Sequence, residues 1–143
     1  MTERWMVAVD FSDCSLAALK RAADLAQSRQ GELLVVNALP TMPVEHKYTS
    51  DAANAADKER IAERLEALAT QTRADYPDLK IASEVIGGAP VDALINEAKT
   101  RDIHFIVVGT HGRTGISHLV LGSVAEQIAR KATCPVLIVK AEP

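Results

Sequence analysis

Cysteine is scarce: Cys14 and Cys134 stand far apart, with no CxxC pair and too few thiols for a disulfide framework, so both are read as reduced and packed. No apolar run approaches the ~18 residues of a membrane span. Residues 1–5 also lack the basic start and apolar core of a secretory leader, so neither a span nor export is expected and the chain is placed in the cytoplasm. An excess of basic charge is missing as well. Sixteen Lys and Arg stand against 19 Asp and Glu, a net charge of −3, which leaves no field for a phosphate backbone or an anionic membrane surface. Nucleic acid is therefore not an expected partner. The two best-known phosphate signatures are absent too: there is no GxxxxGK[ST], and no GxGxxG with an acidic residue about 20 positions on.

What is present fits one domain spanning 1–143. Apolar residues make up 48% of the chain and charged ones 24%, a balance that supports a packed core and argues against disorder. Apolar runs near 4–10, 32–38, 79–86, 103–108 and 134–140 read as strands, and helical patterns fall between them. Alternation of this kind predicts an α/β three-layer sandwich around a parallel sheet. Leu16, Leu19, Ala23 and Ala26 predict the first helix, with Ser12 or Asp13 as cap and Gly31 as stop. A second spans about 51–75, with Ile61, Leu65, Leu68 and Thr72 inward and Glu59, Arg60, Glu63, Arg64 and Glu66 on a solvated face. Pro90 starts a third through Val91, Leu94, Ile95 and Ala98, and a fourth covers about 123–132. Residues 39–50, with Pro40 and Pro43, show no clear period and are expected to be irregular.

The most telling stretch runs from the apolar segment 103–108 through Gly109, Gly112, Gly122 and Ser123 into a helical pattern. Strand, glycine-rich loop and helix start in that order favour an anion, because glycines let backbone N–H groups approach a ligand and a helix start leaves N–H groups free. Ser123 to Glu126 also matches [ST]xx[DE], in which the serine would merely cap its own helix. Asp10, at the end of the first expected strand, could serve a ligand or cap the turn or the first helix. Arg113 could donate to a phosphate or stay solvated. His104, His111 and His118 lie seven apart, a spacing that suits no common zinc arrangement, so no metal site of the protein's own is expected.

The spacing Gx2Gx9G[ST], ahead of the closing run Cys134 to Val139, together with the opening Met6 to Ser12, resembles the universal stress protein family, specifically its nucleotide-binding branch. The resemblance covers nearly the whole chain. It implies a Rossmann-like five-stranded sheet in the order 3-2-1-4-5, whose winding reverses between strands 1 and 4, opening a crevice at their carboxyl ends. It implies ATP as the ligand, with any Mg²⁺ held mainly by the phosphates. By position, Ala8, Val9 and Asp10 would lie beside the base or ribose, and Ala38 would supply backbone polar atoms to the base. Val108 and Gly109 would lie by the ribose and α-phosphate. Gly112, Gly122, Ser123 and Val124 would give amides, and Ser123 its hydroxyl, to the outer phosphates. Asn37 stands where many members carry histidine and is assigned no ligand role.

No catalytic residue is expected. Nothing pairs Ser123 with a base at a readable spacing, a P-loop lysine is missing, and most parts of a phosphoryl-transfer site cannot be found. Binding with little or no turnover, in which occupancy controls the 109–122 loop and partner choice, is the first reading. A slow ATPase or autophosphorylating enzyme is the second, and a dimeric scaffold that binds no nucleotide the third. The run Val136 to Val139, at a sheet edge in the implied order and guarded only by Pro135 and Lys140, predicts a homodimer by edge pairing. The alternative is an edge that stays wet.

Overall fold

The computed structural model describes residues 1–40, 47–111 and 121–141, with side chains between 47 and 111 described from residue 55 on. Its elements are β1 (Arg4–Ala8), α1 (Asp13–Ser28), β2 (Glu32–Leu39), α2 (Lys47–Asp75), β3 (Lys80–Gly87), α3 (Pro90–Thr100), β4 (Phe105–Gly109), α4 (Ser123–Lys131) and β5 (Val136–Val139). The strands form one sheet in the order β3-β2-β1-β4-β5, all pairs parallel, as the resemblance implies. Helices cover both faces. Alternate side chains explain why: Trp5, Val7, Leu33, Val35 and Val107 join the cluster with α1 and α2, while Met6, Leu34, Val36, Ile106 and Val108 join α3 and α4. Strands buried on both sides need apolar residues at every position, which is why the runs read as continuous rather than alternating. Full burial of Met6, Ile106, Leu65 or Ile128 contributes about 1.5–3 kcal/mol each.

Several expected boundaries shift. β1 ends at Ala8, not residue 10, so Asp10 lies in the following turn rather than at a strand end. The irregular segment expected over 39–50 is helical from Lys47, and residues 41–46 lie outside the described residues. Leu16 faces solvent with 37% exposure, because the buried stripe of α1 runs through Ser15, Ala18, Leu19, Ala22, Ala23 and Ala26. Small side chains there let the helix lie close on the sheet. The stop of α1 differs too. Gln30, with φ of 56°, takes the left-handed position, its N–H donating to the Gln27 carbonyl while the Gly31 N–H donates to Ala26. Gly31 is glycine for another reason: a Cβ there would lie 2.8 Å from the Glu3 carbonyl oxygen.

Candidate functional site

At the carboxyl edge of the sheet, β1 is flanked by β2 on one side and β4 on the other, and the winding reverses between β1 and β4. The turn leaving β1 is built by its own side chains. Asp10 Oδ1 accepts from the Ser12 N–H at 3.0 Å and from the Ser12 hydroxyl, while Ser12 caps α1 by accepting from the Ser15 N–H. The Ser15 hydroxyl donates to the Ser12 carbonyl, and the Asp10 N–H donates to the Ser15 oxygen. One oxygen of Asp10 is thus committed to shaping the turn, which is the capping reading left open by the sequence. Between Asp10 and Ser12, Phe11 has φ of 67°, a left-handed conformation that costs a non-glycine residue about 1–3 kcal/mol.

Opposite this turn, Thr110 joins four elements. Its N–H donates to the Val139 carbonyl at the end of β5, and its carbonyl accepts from the Gly122 N–H at 2.7 Å. Its hydroxyl lies 3.5 Å from the Cys14 sulfur in the first turn of α1. Nothing in the sequence singles out Thr110, because a threonine after a strand carries no spacing signal. The same contacts give Gly109 and Gly122 packing roles. A Cβ on Gly109 would lie 2.8 Å from Cys14 backbone and side-chain carbons, and one on Gly122 would lie 2.7 Å from the Thr110 oxygen.

The Gly122 amide is therefore spent on the protein, whereas the resemblance had it serving a phosphate. Gly122 is itself the N-cap of α4, with no side-chain cap bond. Ser123 is the first helical residue rather than the cap, so the [ST]xx[DE] match does not form a capping box here. The amides of Ser123 and Val124 precede the first helical bond, which Glu126 makes to the Gly122 carbonyl. They sit at the positive end of the helix, with Val124 at 39% exposure. Gly112 and Arg113 lie outside the described residues, as does His118.

Of the remaining candidates, Val9 and Val108 are buried, while Ala8 and Ala38 are half-buried. Val9 has both backbone groups engaged: its N–H donates to the Val36 carbonyl and its carbonyl accepts from the Asn37 side chain, each at 2.8 Å. The two thiols differ in environment. The Thr110 hydroxyl, aided by the Ala141 and His111 N–H groups and opposed by burial, holds Cys14 below the usual thiol range, whereas burial pushes Cys134 up. Among the described residues no group of three or more His, Cys, Asp or Glu could hold a metal ion, and no helix is long and apolar enough to cross a membrane. A cleft of about 370 Å³ opens at the opposite edge of the sheet, lined by Arg4, Glu32, Lys80 and Arg101 among others. Its Lys80 is matched by Glu32 and its Arg101 by Glu84 and Glu97, while Arg4 donates to the Arg101 carbonyl.

Comparison with known proteins agrees with this geometry. The model of the family described as universal stress protein matches residues 1–140. A universal stress protein of Methanocaldococcus jannaschii is 32% identical over 138 residues, covering 94% of this chain and 80% of the relative. A crystal structure of a universal stress protein in complex with cAMP superposes with a TM-score of 0.73 at 29% identity, covering 98% of both chains. The Archaeoglobus fulgidus universal stress protein in complex with dAMP gives a TM-score of 0.70 at 26% identity, again over 98% of both chains.

Proposed function

The chain belongs to the universal stress protein family, and from that premise we propose that it binds an adenine nucleotide, ATP with its Mg²⁺, in the crevice between β1 and β4. The observation that carries this reading is the start of α4. The bond from Gly122 to Thr110 anchors it beside the end of β4, with the Ser123 and Val124 amides ahead of the first helical bond. Two relatives of similar fold are described as complexes with cAMP and dAMP, which supports an adenine nucleotide as the ligand class.

In this reading the Ser123 and Val124 amides and the Ser123 hydroxyl take the outer phosphates, joined by Gly112 and Arg113. Val108 and Gly109 border the ribose and α-phosphate, with Gly122 as packing support. Ala8, Val9 and Asp10 wall the base and ribose, and Ala38 offers its peptide groups to the base. Mg²⁺ is carried by the phosphates and needs no ligand cluster. Because the Thr110 to Gly122 bond closes the ends of the loop, a ligand touching both loop and helix would stabilise one loop conformation and so select a cytoplasmic partner.

Calorimetric titration with Mg·ATP, followed by a phosphate-release assay on the same sample, tests the reading. Saturable binding with little or no release is expected. Turnover at an ordinary ~1 to 10³ per second, lost on Ser123→Ala, would favour a slow ATPase or autophosphorylating enzyme. No binding would leave the dimeric scaffold.

A further inference from the structure

β1 and β2 part company before β2 ends. Their register runs from Arg4 opposite Glu32 to Ala8 opposite Val36, and the Val9 N–H still donates to the Val36 carbonyl. β2 continues beyond that point, paired with β3 as far as Leu39 opposite Gly87, with the Gly88 N–H donating to the Leu39 carbonyl. In a parallel ladder successive residues turn their peptide groups to opposite neighbours. Val36 faces β1 and Leu39 faces β3, so Ala38 faces the β1 side. The ladder's next bond would run from the Ala38 N–H to the Val9 carbonyl. Instead, the Asn37 side-chain amide donates to that carbonyl at 2.8 Å.

The orientation of that amide is chemically determined, since a carbonyl can only accept and the Asn37 nitrogen is the end that can donate. A side chain thus stands in for the backbone: it satisfies the acceptor at the end of β1 without requiring Ala38 to close onto it. On this register the N–H and C=O of Ala38 face the β1 side beyond the end of that strand, a donor and an acceptor on one half-buried residue.

We propose that Asn37 is a positioning residue for nucleobase recognition, holding the β1 and β2 edge open so that Ala38 presents a donor–acceptor pair to the Watson–Crick edge of adenine. The Ala38 N–H matches the N1 acceptor and its C=O matches the N6 amine. Hypoxanthine, which reverses both, is rejected because each peptide group would meet its own kind. This inference rests on the nucleotide reading and deepens it.

The test uses the full chain with Asn37→Ala, which removes the donor, and Asn37→His, which restores a ring N–H. Amide exchange at Ala38, followed by NMR without nucleotide, reports the edge directly. Exchange should be fast in the wild type and in Asn37→His, and at least about tenfold slower in Asn37→Ala, where the Ala38 N–H closes onto Val9. Calorimetry should show ATP preferred over ITP by about tenfold or more in the wild type, and a preference largely lost in Asn37→Ala while phosphate-dependent binding persists. Equal Ala38 exchange in wild type and Asn37→Ala, or an unchanged ATP to ITP ratio, would overturn the assignment to Asn37. A wild type that binds no nucleotide would overturn the base-recognition role together with the nucleotide reading, while Ala38 exchange still reports whether Asn37 opens the edge.

Discussion

Arg64 of α2 places its guanidinium carbon 4.0 Å from the centroid of the Phe11 ring, and Phe11 is the residue of the first turn held at φ of 67°. The charge run of α2, read from the sequence as a solvated face, therefore includes a side chain that stacks on the turn below the crevice. A cation over an aromatic face at an exposed site contributes about 0.5–1 kcal/mol. Arg64→Ala should destabilise the fold by about that amount in denaturant unfolding. In a Phe11→Gly background the same change should have no effect, since the ring is gone. An equal loss in both backgrounds would show that Arg64 acts elsewhere.

Cys14 and Cys134 should titrate in opposite directions from the ordinary thiol value of 9.0. Cys14 has a lowered folded pKa, so its stabilising contribution is complete above about pH 9 and is lost as pH falls through the folded value. Cys134 has a raised one, so its contribution is complete below about pH 9 and is lost as pH rises through the folded value. Iodoacetamide labelling between about pH 6 and 10, read by mass spectrometry, should modify Cys14 at lower pH than Cys134. Thr110→Val should move the Cys14 midpoint upward, because the hydroxyl is the main influence on it. Labelling of Cys134 first would contradict the site geometry.

β5 ends the sheet, and Leu137 on it is 37% exposed. An apolar edge strand of this kind is a template for pairing, which motivates the proposed homodimer. Sedimentation at micromolar protein should give about twice the chain mass, shifted toward monomer by Leu137→Lys. A wild-type chain that stays monomeric would show that the edge remains wet.

Ser123→Asp separates helix stability from anion binding. A carboxylate at the first helical position complements the positive end of α4 and should hold or raise stability, by about 0.3–1 kcal/mol. The same charge repels phosphate, so ATP affinity should fall by at least about tenfold. An unchanged affinity would place the phosphates elsewhere.

The fold was legible in the sequence because parallel strands buried on both faces leave unbroken apolar runs, and because Pro90 and Ser12 mark helix starts. Strand order was not, since periodicity carries no information about neighbours; it came from the family resemblance. The site was legible as a loop and a helix start, but not in its division of labour. Gly109 and Gly122 look like ligand-binding glycines in sequence, yet each also makes a close backbone approach that only the packed structure displays. The sequence gives Asn37 no role and does not single out Thr110, because their importance lies in which carbonyl or thiol they meet, and those partners are 28 and 96 residues away.

In the proposed reading an adenine nucleotide lies across the sheet edge in the crevice between β1 and β4. The most direct measurement is an NMR titration of the full chain with Mg·ATP, following backbone amides. Saturable shifts are expected at Ser123 and Val124 for the phosphates and at Ala38 for the base, with residues lining the opposite cleft, such as Lys80 and Ile103, unmoved. No saturable shift at those three amides up to millimolar ATP, or shifts confined to the Lys80 and Ile103 end, would contradict it.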